Sequence, residues 1–337
     1  MSFTLKIVIA FAALIAVGLA LTLEVPPVET IQRGFRGTAM VENYDPRAVK
    51  AVYAQNQLPD EIPAIPPAGQ LSSAVYQNVQ VLKDVDANEF LRLMSAITAW
   101  VSPQQGCNYC HNPENMASDA IYTKVVARRM IQMAQHINTN WKTHVATTGV
   151  TCYTCHRGNP VPANVWFTQP DQSRFSGMVE SNVGKNHPAP AINDSSLPGD
   201  PFTPFLLNDS TIRVESTTAL PTGDRQSIKQ TDWTYALMIH FSQSLGVNCT
   251  YCHNSRQFAA WDQSTPQRTN AWYGIRMVRD LNQNYLASLQ NVFPPARLGP
   301  LGDTAKVNCA TCHQGVYKPL FGASMVQTYP ELGAQKQ

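Results

Sequence analysis

The sequence is poor in charge, and its cysteines are confined to four short motifs. Charged residues make up 14 % of the 337 residues, against about a quarter in an ordinary soluble protein. The formal net charge is only +2, which gives no basis for binding nucleic acid. All eight cysteines occur as pairs separated by two residues. None is left over for a separate disulfide framework of the kind that staples small secreted domains.

Each cysteine pair is followed directly by a histidine, which gives the pattern Cys-x-x-Cys-His. This pattern is the attachment signature of c-type haem. The two thiols add to vinyl groups of the porphyrin, and the histidine becomes the proximal ligand of the iron. Zinc sites also use Cys-x-x-Cys pairs, but they need no histidine after each pair. The sequence therefore predicts four covalently attached haem c groups, held by Cys107, Cys110 and His111; by Cys152, Cys155 and His156; by Cys249, Cys252 and His253; and by Cys309, Cys312 and His313.

An uncharged run from Ile7 to Leu23 lies near the N-terminus, between Lys6 and Glu24. Its seventeen residues are the lower limit for a membrane-spanning helix. Cleavage of a signal peptide after a small-residue stretch at 18–20 is the alternative. Thioether attachment takes place outside the cytoplasm, so the chain must be exported. With Lys6 on the cytoplasmic side, we predict an uncleaved membrane anchor over residues 1–24, with the rest of the chain on the outer face of the inner membrane.

The rest of the chain divides by composition and by an internal repeat. Proline is frequent in 25–85, which predicts an extended N-terminal arm. Two-haem modules are predicted over 86–160 and 229–320, because each contains a helix, a first motif, a second helix with an Arg-Met pair, and a second motif. Residues 161–228 are predicted to be an irregular connector, and 321–337 a C-terminal tail. The fold class is mainly α with long irregular loops.

Helix signals precede the first motif of each module. Asp86 and Glu89 have the spacing of a capping pair, and an apolar stripe at helical spacing follows them. Pro103 is expected to end this helix. In the second module, Gly246 is the expected C-cap of the equivalent helix.

Two methionines in these helices are candidate sixth ligands. Met94 lies 17 residues before His111, and Met238 lies 15 residues before His253. A methionine on an apolar stripe is usually packing. Equivalent positions in a repeat, each beside a haem motif, favour ligation of iron instead.

For the haem of His156, Met130 is the candidate sixth ligand, and Met133 on the same helix face is its competitor. A rival scheme gives every haem two histidines, because the chain has four histidines outside the motifs. Only His144 lies close to a motif in a region predicted to be ordered. The four are His136, His144, His187 and His240.

The sequence also resembles a specific family. The strings Gly149-Val-Thr-Cys-Tyr-Thr-Cys-His-Arg-Gly158, Ser264-Thr-Pro-Gln-Arg268 and Gly274-Ile-Arg-Met277 resemble the tetrahaem cytochrome subunit of purple-bacterial photosynthetic reaction centres. The resemblance covers nearly all of residues 25–320. It implies three Met/His haems, with Met94, Met130 and Met238 as ligands, and one His/His haem.

The resemblance implies further roles for two residues of this chain. His144 would be the sixth ligand of the haem on Cys309 and Cys312. Arg268 would pair with a propionate of the haem on Cys249 and Cys252, and a nearby cation raises a haem potential by disfavouring the oxidised form. Many members carry a lipid on an N-terminal cysteine, whereas this sequence has no cysteine before Cys107. The apolar helix is expected to serve as the anchor instead.

The function implied by the resemblance is electron transfer and not enzymatic catalysis. The subunit would lie on the periplasmic face of the membrane and reduce the photo-oxidised bacteriochlorophyll pair of the reaction-centre core. A soluble cytochrome c or a high-potential iron-sulfur protein would reduce it again. The haems would form a row with the Cys249 haem nearest the pigment pair and the Cys107 haem outermost. A multihaem oxidoreductase and a cytochrome serving another partner are the alternative functions.

For the sixth ligand of the fourth haem, the internal repeat and the family resemblance give different candidates. The Arg-Met pairs align Met277 with Met130, which makes Met277 a candidate, whereas the resemblance indicates His144. Met130 precedes its motif histidine by 26 residues, but Met277 precedes His313 by 36. Since the extra residues can move the helix away from that iron, we predict His144 as the ligand.

Overall fold

The computed structural model describes residues 2–22, 28–32, 41–169, 185–186, 195–214 and 228–333. Within these ranges helices dominate, and the strands form two short antiparallel pairs. The helices are α1 (Phe3–Thr22), α2 (Pro46–Gln55), α3 (Ser72–Val75), α4 (Ala87–Val101), α5 (Tyr122–Asn140), α6 (Lys142–Val145), α7 (Cys152–His156), α8 (Ile228–Leu245), α9 (Pro266–Asp280) and α10 (Cys309–His313). The strands are β1 (Glu29–Gln32), β2 (Val41–Tyr44), β3 (Lys185–Asn186) and β4 (Ser195–Pro198). The mainly α class with long loops is confirmed.

Helix α1 is the predicted apolar helix, and it begins before Lys6. Its 20 residues correspond to roughly 30 Å, the thickness of the hydrocarbon core of a bilayer. The span Phe3–Leu21 is not buried against any part of the chain that the structure describes. A bare apolar helix of this length is suited to a membrane, although a signal sequence meets the same description.

Helix α4 begins and ends as its sequence predicts. The Asp86 carboxylate accepts a hydrogen bond from the Asn88 backbone N–H at 2.9 Å, which satisfies one of the free donors of the first turn. The same carboxylate accepts bonds from the backbone of 68 and 69, so it also holds the arm against the helix. Glu89 pairs with buried Arg92 at 3.1 Å. The helix ends at Val101, two residues before Pro103.

A buried asparagine marks the internal repeat. The Asn138 side chain donates to Val150 O at 2.9 Å and accepts from Val150 N at 2.7 Å. Asn282 makes the same two bonds with Val307, at 3.0 and 2.9 Å. Each valine lies two residues before the first cysteine of a motif. In each half, therefore, the same pair of asparagine–valine hydrogen bonds holds the second haem motif against the helix that precedes it.

Two segments outside the predicted modules complete this arrangement. The amide of Asn138 also donates to Leu332 O at 2.6 Å, and the amide of Asn282 donates to Leu206 O at 2.9 Å. Both leucines are completely buried. Leu332 belongs to the region predicted as a C-terminal tail, and Leu206 lies in a π-helical turn within the predicted connector. Part of each region therefore belongs to the core of a module.

The two predicted modules pack directly on each other. The Arg129 guanidinium lies 4.4 Å from the centre of the Tyr285 ring. His136 Nε2 and Trp141 Nε1 both bond to Asp280 Oδ2, at 2.6 and 2.8 Å. One apolar cluster contains buried residues from both modules, among them Ile137, Val150, Ile275, Val278 and Val307.

Candidate cofactor sites

Each of the four motifs forms its own short helical turn. The first and third form 3-10 turns over Gly106–Tyr109 and Cys249–Tyr251, whereas the second and fourth form the short helices α7 and α10. A helical turn puts residues three apart on one face. The two thiols of each pair therefore share one side of a turn, as attachment to one porphyrin requires.

The second and fourth motifs are held by the same local structure. In α7, Thr151 and Thr154 form a reciprocal capping box, and in α10 Asn308 and Thr311 do the same. The residues that follow the histidines of these two motifs, Arg157 and Gln314, have a left-handed backbone conformation, with φ 49° at both positions. These features turn the chain sharply away after the histidine and keep the ring at the end of the helix.

Each motif histidine has its Nδ1 hydrogen-bonded to a backbone carbonyl. The distances are 3.0 Å for His111, 2.8 Å for His156, 3.0 Å for His253 and 2.9 Å for His313. Since a carbonyl oxygen only accepts, Nδ1 carries the proton and Nε2 is left as the ligating nitrogen. Fixing the tautomer and ring orientation through the second nitrogen is the usual arrangement around metal-bound histidine. The residues present therefore fit the group that the motif implies.

His144 shares this arrangement and faces the fourth motif. Its Nδ1 lies 3.0 Å from the Asn270 carbonyl oxygen. Its ring centre is 6.1 Å from that of His313, with 65° between the ring planes. Two imidazoles on opposite sides of one metal ion, with bonds of about 2 Å, have ring centres about 6 Å apart.

Burial keeps both rings of this pair neutral. It lowers the pKa of His313 to about 4, and repulsion between the two rings when both are protonated contributes to the same shift. Burial also lowers the pKa of His144. A neutral imidazole is the form that coordinates a metal.

The candidate methionines lie on three different helices. Met94 of α4 packs against the apolar cluster that includes buried Leu93 and Trp100. Met130 of α5 and Met238 of α8 pack against the cluster shared by the two modules. All three are partly exposed.

The competing methionines lie in the same shared cluster. Met133 packs at its edge. Met277 is one of its buried members, with only 7 % of its surface exposed. Burial among aliphatic side chains is what a methionine used for packing would show.

Two of the other histidines have partners away from the four motifs. His136 bonds to Asp280. His240 contacts the ring of Phe202, at 4.6 Å between centres, and the Ser244 hydroxyl. His187 lies outside the described residues.

Cys155 and Cys312 are neighbours, with 4.5 Å between their Cα atoms, and the structure joins their Sγ atoms. This pairing was not predicted from the sequence. A sulfur in a disulfide cannot also form a thioether, so the two assignments exclude each other for these cysteines. The other six cysteines are free. Burial raises the pKa of Cys152, Cys252 and Cys309 to about 12.

Arg268 lies beside the third motif. Its guanidinium donates to Ala260 O at 2.8 Å and to Ser264 Oγ at 2.7 Å, and it stacks on Trp261 at 4.0 Å. Burial lowers the pKa of His253, and the charge of Arg268 adds to that shift. The guanidinium is thus placed to act electrostatically on the third site.

Lys124 beside the first motif was not predicted from the sequence. Its ammonium is buried and donates to three consecutive carbonyls, those of Met116 at 2.8 Å, Ala117 at 2.8 Å and Ser118 at 3.0 Å. The Met116 carbonyl also accepts the His111 Nδ1 bond. The only local signal is a lysine among apolar residues at the start of a helix, which usually indicates a solvated charge.

Comparison with known sequences agrees with this architecture. The sequence model of the family described as photosynthetic reaction centre cytochrome C subunit matches residues 24–333. The chain belongs to this family. The photosynthetic reaction center cytochrome c subunit of Rubrivivax gelatinosus is 52 % identical over 330 residues, covering 98 % of this chain and 88 % of the relative. That of Thermochromatium tepidum is 51 % identical over 330 residues, covering 98 % and 80 %. That of Roseobacter denitrificans is 41 % identical over 326 residues, covering 91 % and 86 %.

Membership of the family of reaction centre cytochrome c subunits confirms several expectations from the sequence. The protein carries covalently bound haem c and serves in photosynthetic electron transport, and it is not an enzyme. Its N-terminal apolar helix is consistent with a membrane-associated protein.

Proposed function

We propose that the protein carries four haem c groups and donates electrons to the photo-oxidised bacteriochlorophyll pair of a photosynthetic reaction centre. The main observation in support is that the four motif histidines share one hydrogen bond. In each of them Nδ1 is bonded to a backbone carbonyl, which leaves Nε2 for the iron. Bound haem supplies a one-electron couple between Fe(II) and Fe(III). Association with the reaction-centre core follows from the family.

The ligand scheme is part of this proposal. Met94, Met130 and Met238 would be the sixth ligands of the first, second and third haems. His144 would be that of the fourth. The pair of imidazoles 6.1 Å apart supports the last assignment, and the engagement of His136 with Asp280 speaks against a general two-histidine scheme.

All eight motif cysteines would form thioethers, including Cys155 and Cys312. Both stand in complete Cys-x-x-Cys-His motifs whose histidines have the common Nδ1 bond. In the mature protein the Cys155–Cys312 pairing would therefore be absent. Alkylation of the denatured protein before and after reduction tests this. We expect no modified cysteine in either case, whereas two thiols released by reduction would identify a disulfide.

The expected location is the periplasmic face of the membrane, with α1 retained as the anchor. The length and exposure of α1 support this location. Intact-mass analysis of the mature chain is the direct test. A chain that begins after Ala20 would contradict retention and would leave the electron-transfer proposal untouched.

The functional test is made on the purified complex. Haem and bacteriochlorophyll should co-purify, with four haems per chain in the pyridine haemochrome assay. A flash should then oxidise a haem as the pigment pair is reduced again. Addition of reduced soluble cytochrome c, or of a reduced high-potential iron-sulfur protein, should return that haem to the reduced state. Failure of flash-induced haem oxidation in a complex that contains both haem and bacteriochlorophyll would overturn the proposal.

A further inference from the structure

Gly274 lies directly against the ring of His144. It is a buried residue within α9. A Cβ atom at this position would lie 2.6 Å from His144 Cε1, 3.0 Å from Nδ1 and 3.1 Å from Nε2. The contact of 2.6 Å is too short for two carbon atoms, so a side chain at 274 would require the ring to move. The imidazole therefore occupies the space into which any side chain at 274 would point.

The repeat shows what fills this position in the first module. Met130 is the ninth residue of α5, and Gly274 is the ninth residue of α9. Met130 also lies eight residues before buried Asn138, and Gly274 lies eight before Asn282. The start of the helix and the buried asparagine thus give the same alignment. The counterpart of Met130 is Gly274, and not Met277 as the Arg-Met pairs indicated.

Helix α9 also orients the ring that it admits. The carbonyl of Asn270, one helical turn before Gly274, accepts the His144 Nδ1 bond at 3.0 Å. With Nδ1 held by this carbonyl, Nε2 is the nitrogen left for a metal. The His313 ring lies 6.1 Å away. A single turn of α9 thus provides both the space and the hydrogen bond that place His144.

We propose that Gly274 is a positioning residue for the sixth ligand of the fourth haem. It lacks the side chain that Met130, the proposed ligand, provides in the first module, and the space that it leaves admits His144. This inference rests on the proposed ligation of that haem by His144 and His313. It attributes the different sixth ligands of the second and fourth haems to the absence of a side chain at Gly274 of α9, the position equivalent to Met130 of α5.

A purely structural role for Gly274 predicts the opposite behaviour. Alanine forms helices better than glycine, and the backbone at 274 does not have the positive φ that favours glycine. Judged by helix propensity alone, Gly274→Ala should be harmless or stabilising. Any loss of ligation would then report the collision with the ring.

The first experiment compares Gly274→Ala with Arg276→Lys in the purified complex. Arg276 is an exposed residue of the same helix, and lysine preserves its charge. We expect Gly274→Ala to change the electron paramagnetic resonance signal of the His/His haem and to shift the potential of that haem alone. Arg276→Lys should change neither. An unaltered signal and potential in Gly274→Ala would overturn the inference.

The second experiment uses the coupling between the two positions. In a His144→Ala background, Gly274→Ala should have no further effect on signal or potential. If Gly274→Ala alone prevents assembly, His144→Ala/Gly274→Ala should restore it, because the ring has been removed. His144→Ala/Gly274→Met should show a stronger charge-transfer band of methionine ligation than His144→Ala, because a fourth methionine-ligated haem is added to the three already proposed. The potential of its fourth haem should also lie above that in His144→Ala. A band no stronger than that of His144→Ala, with four haems attached, would contradict the inference.

These measurements distinguish a failure of the positioning role of Gly274 from a failure of the proposed ligation by His144 and His313. If the wild-type complex shows no His/His haem, the ligation proposal itself is wrong. If the wild type shows one and Gly274→Ala retains it unchanged, the ligation stands and the positioning role is wrong.

Discussion

His136 and Asp280 join the two halves of the protein, with 2.6 Å between Nε2 and Oδ2. Trp141 Nε1 donates to the same carboxylate oxygen at 2.8 Å, and the Asn284 amide donates to the other at 2.7 Å. Burial alone would raise the pKa of Asp280, but the bonds from Asn284, His136 and Trp141 outweigh it, so the pKa is lowered. The carboxylate is therefore a stabilising link between the modules.

Asp280→Asn should lower the free energy of unfolding by about 1–3 kcal/mol, the cost of weakening hydrogen bonds to a charged group. Because the folded-state pKa is depressed, the stabilisation is complete above the unfolded pKa of about 3.9 and is lost as the pH falls further. Thermal unfolding from pH 7 to pH 2 should therefore show a smaller loss of stability in Asp280→Asn than in wild type below pH 4. Parallel curves for the two proteins would contradict this role.

Lys124→Met should destabilise the loop after the first motif. The substitution leaves three carbonyls without their buried donor, including the Met116 carbonyl that orients His111. We expect a loss of about 1–3 kcal/mol and faster hydrogen exchange over 112–121. Lys83→Met, at an exposed position, is the matched control. Equal exchange in the two variants would show that Lys124 does not hold the loop.

Met94→Leu and Met238→Leu should each lower the midpoint potential of one haem. Methionine ligation favours the reduced iron, and leucine offers no ligand. We expect a shift on the order of 0.1 V, within the span of roughly 0.8 V that axial ligation covers. Met116→Leu, in the exposed loop, should leave all four potentials unchanged. Redox titration of the three variants decides the matter, and four unaltered potentials in both helix variants would remove these methionines from the ligand set.

The local features of this fold could be predicted from sequence because short-range chemistry determines them. A motif of five residues forms one turn, Asp86 caps the helix that follows it, and Gly246 ends the equivalent helix with φ +63°. The apolar run at the N-terminus required no partner to be recognised. These assignments depend on residues within a few positions of one another.

The long-range features could not be predicted in the same way. The Arg-Met pairs suggested that Met277 matches Met130, whereas the buried asparagines show that Gly274 does. Nothing near Lys124 in sequence indicates that three carbonyls surround its ammonium. The contribution of Leu332 to the first module depends on a contact with Asn138, 194 residues earlier in the chain.

Arg268→Leu should lower the potential of the third haem and slow electron delivery to the pigment pair. A cation near a haem disfavours the oxidised form, and the charge of Arg268 already acts on His253. Arg276→Leu is a close control, because Arg276 is on the same helix and also stacks on a tryptophan, Trp272, at 3.7 Å. Redox titration and flash-induced haem oxidation should change in the first variant and stay near wild type in the second. Equal effects would indicate a general loss of positive charge.

The last prediction concerns the fourth haem, for which Met277 and His144 were the candidates. His144→Met should raise the potential of this haem, because methionine favours the reduced iron where histidine favours the oxidised form. Met277→Leu should leave its ligation intact, since Met277 is 7 % exposed and packs among the aliphatic residues of the shared core. Such a volume-conserving change should cost less than about 1.5 kcal/mol of stability. Redox titration and the axial-ligand spectrum measure both variants. If Met277→Leu alone alters the spectrum of the fourth haem, the methionine is the ligand, and the proximity of His144 to His313 has another cause.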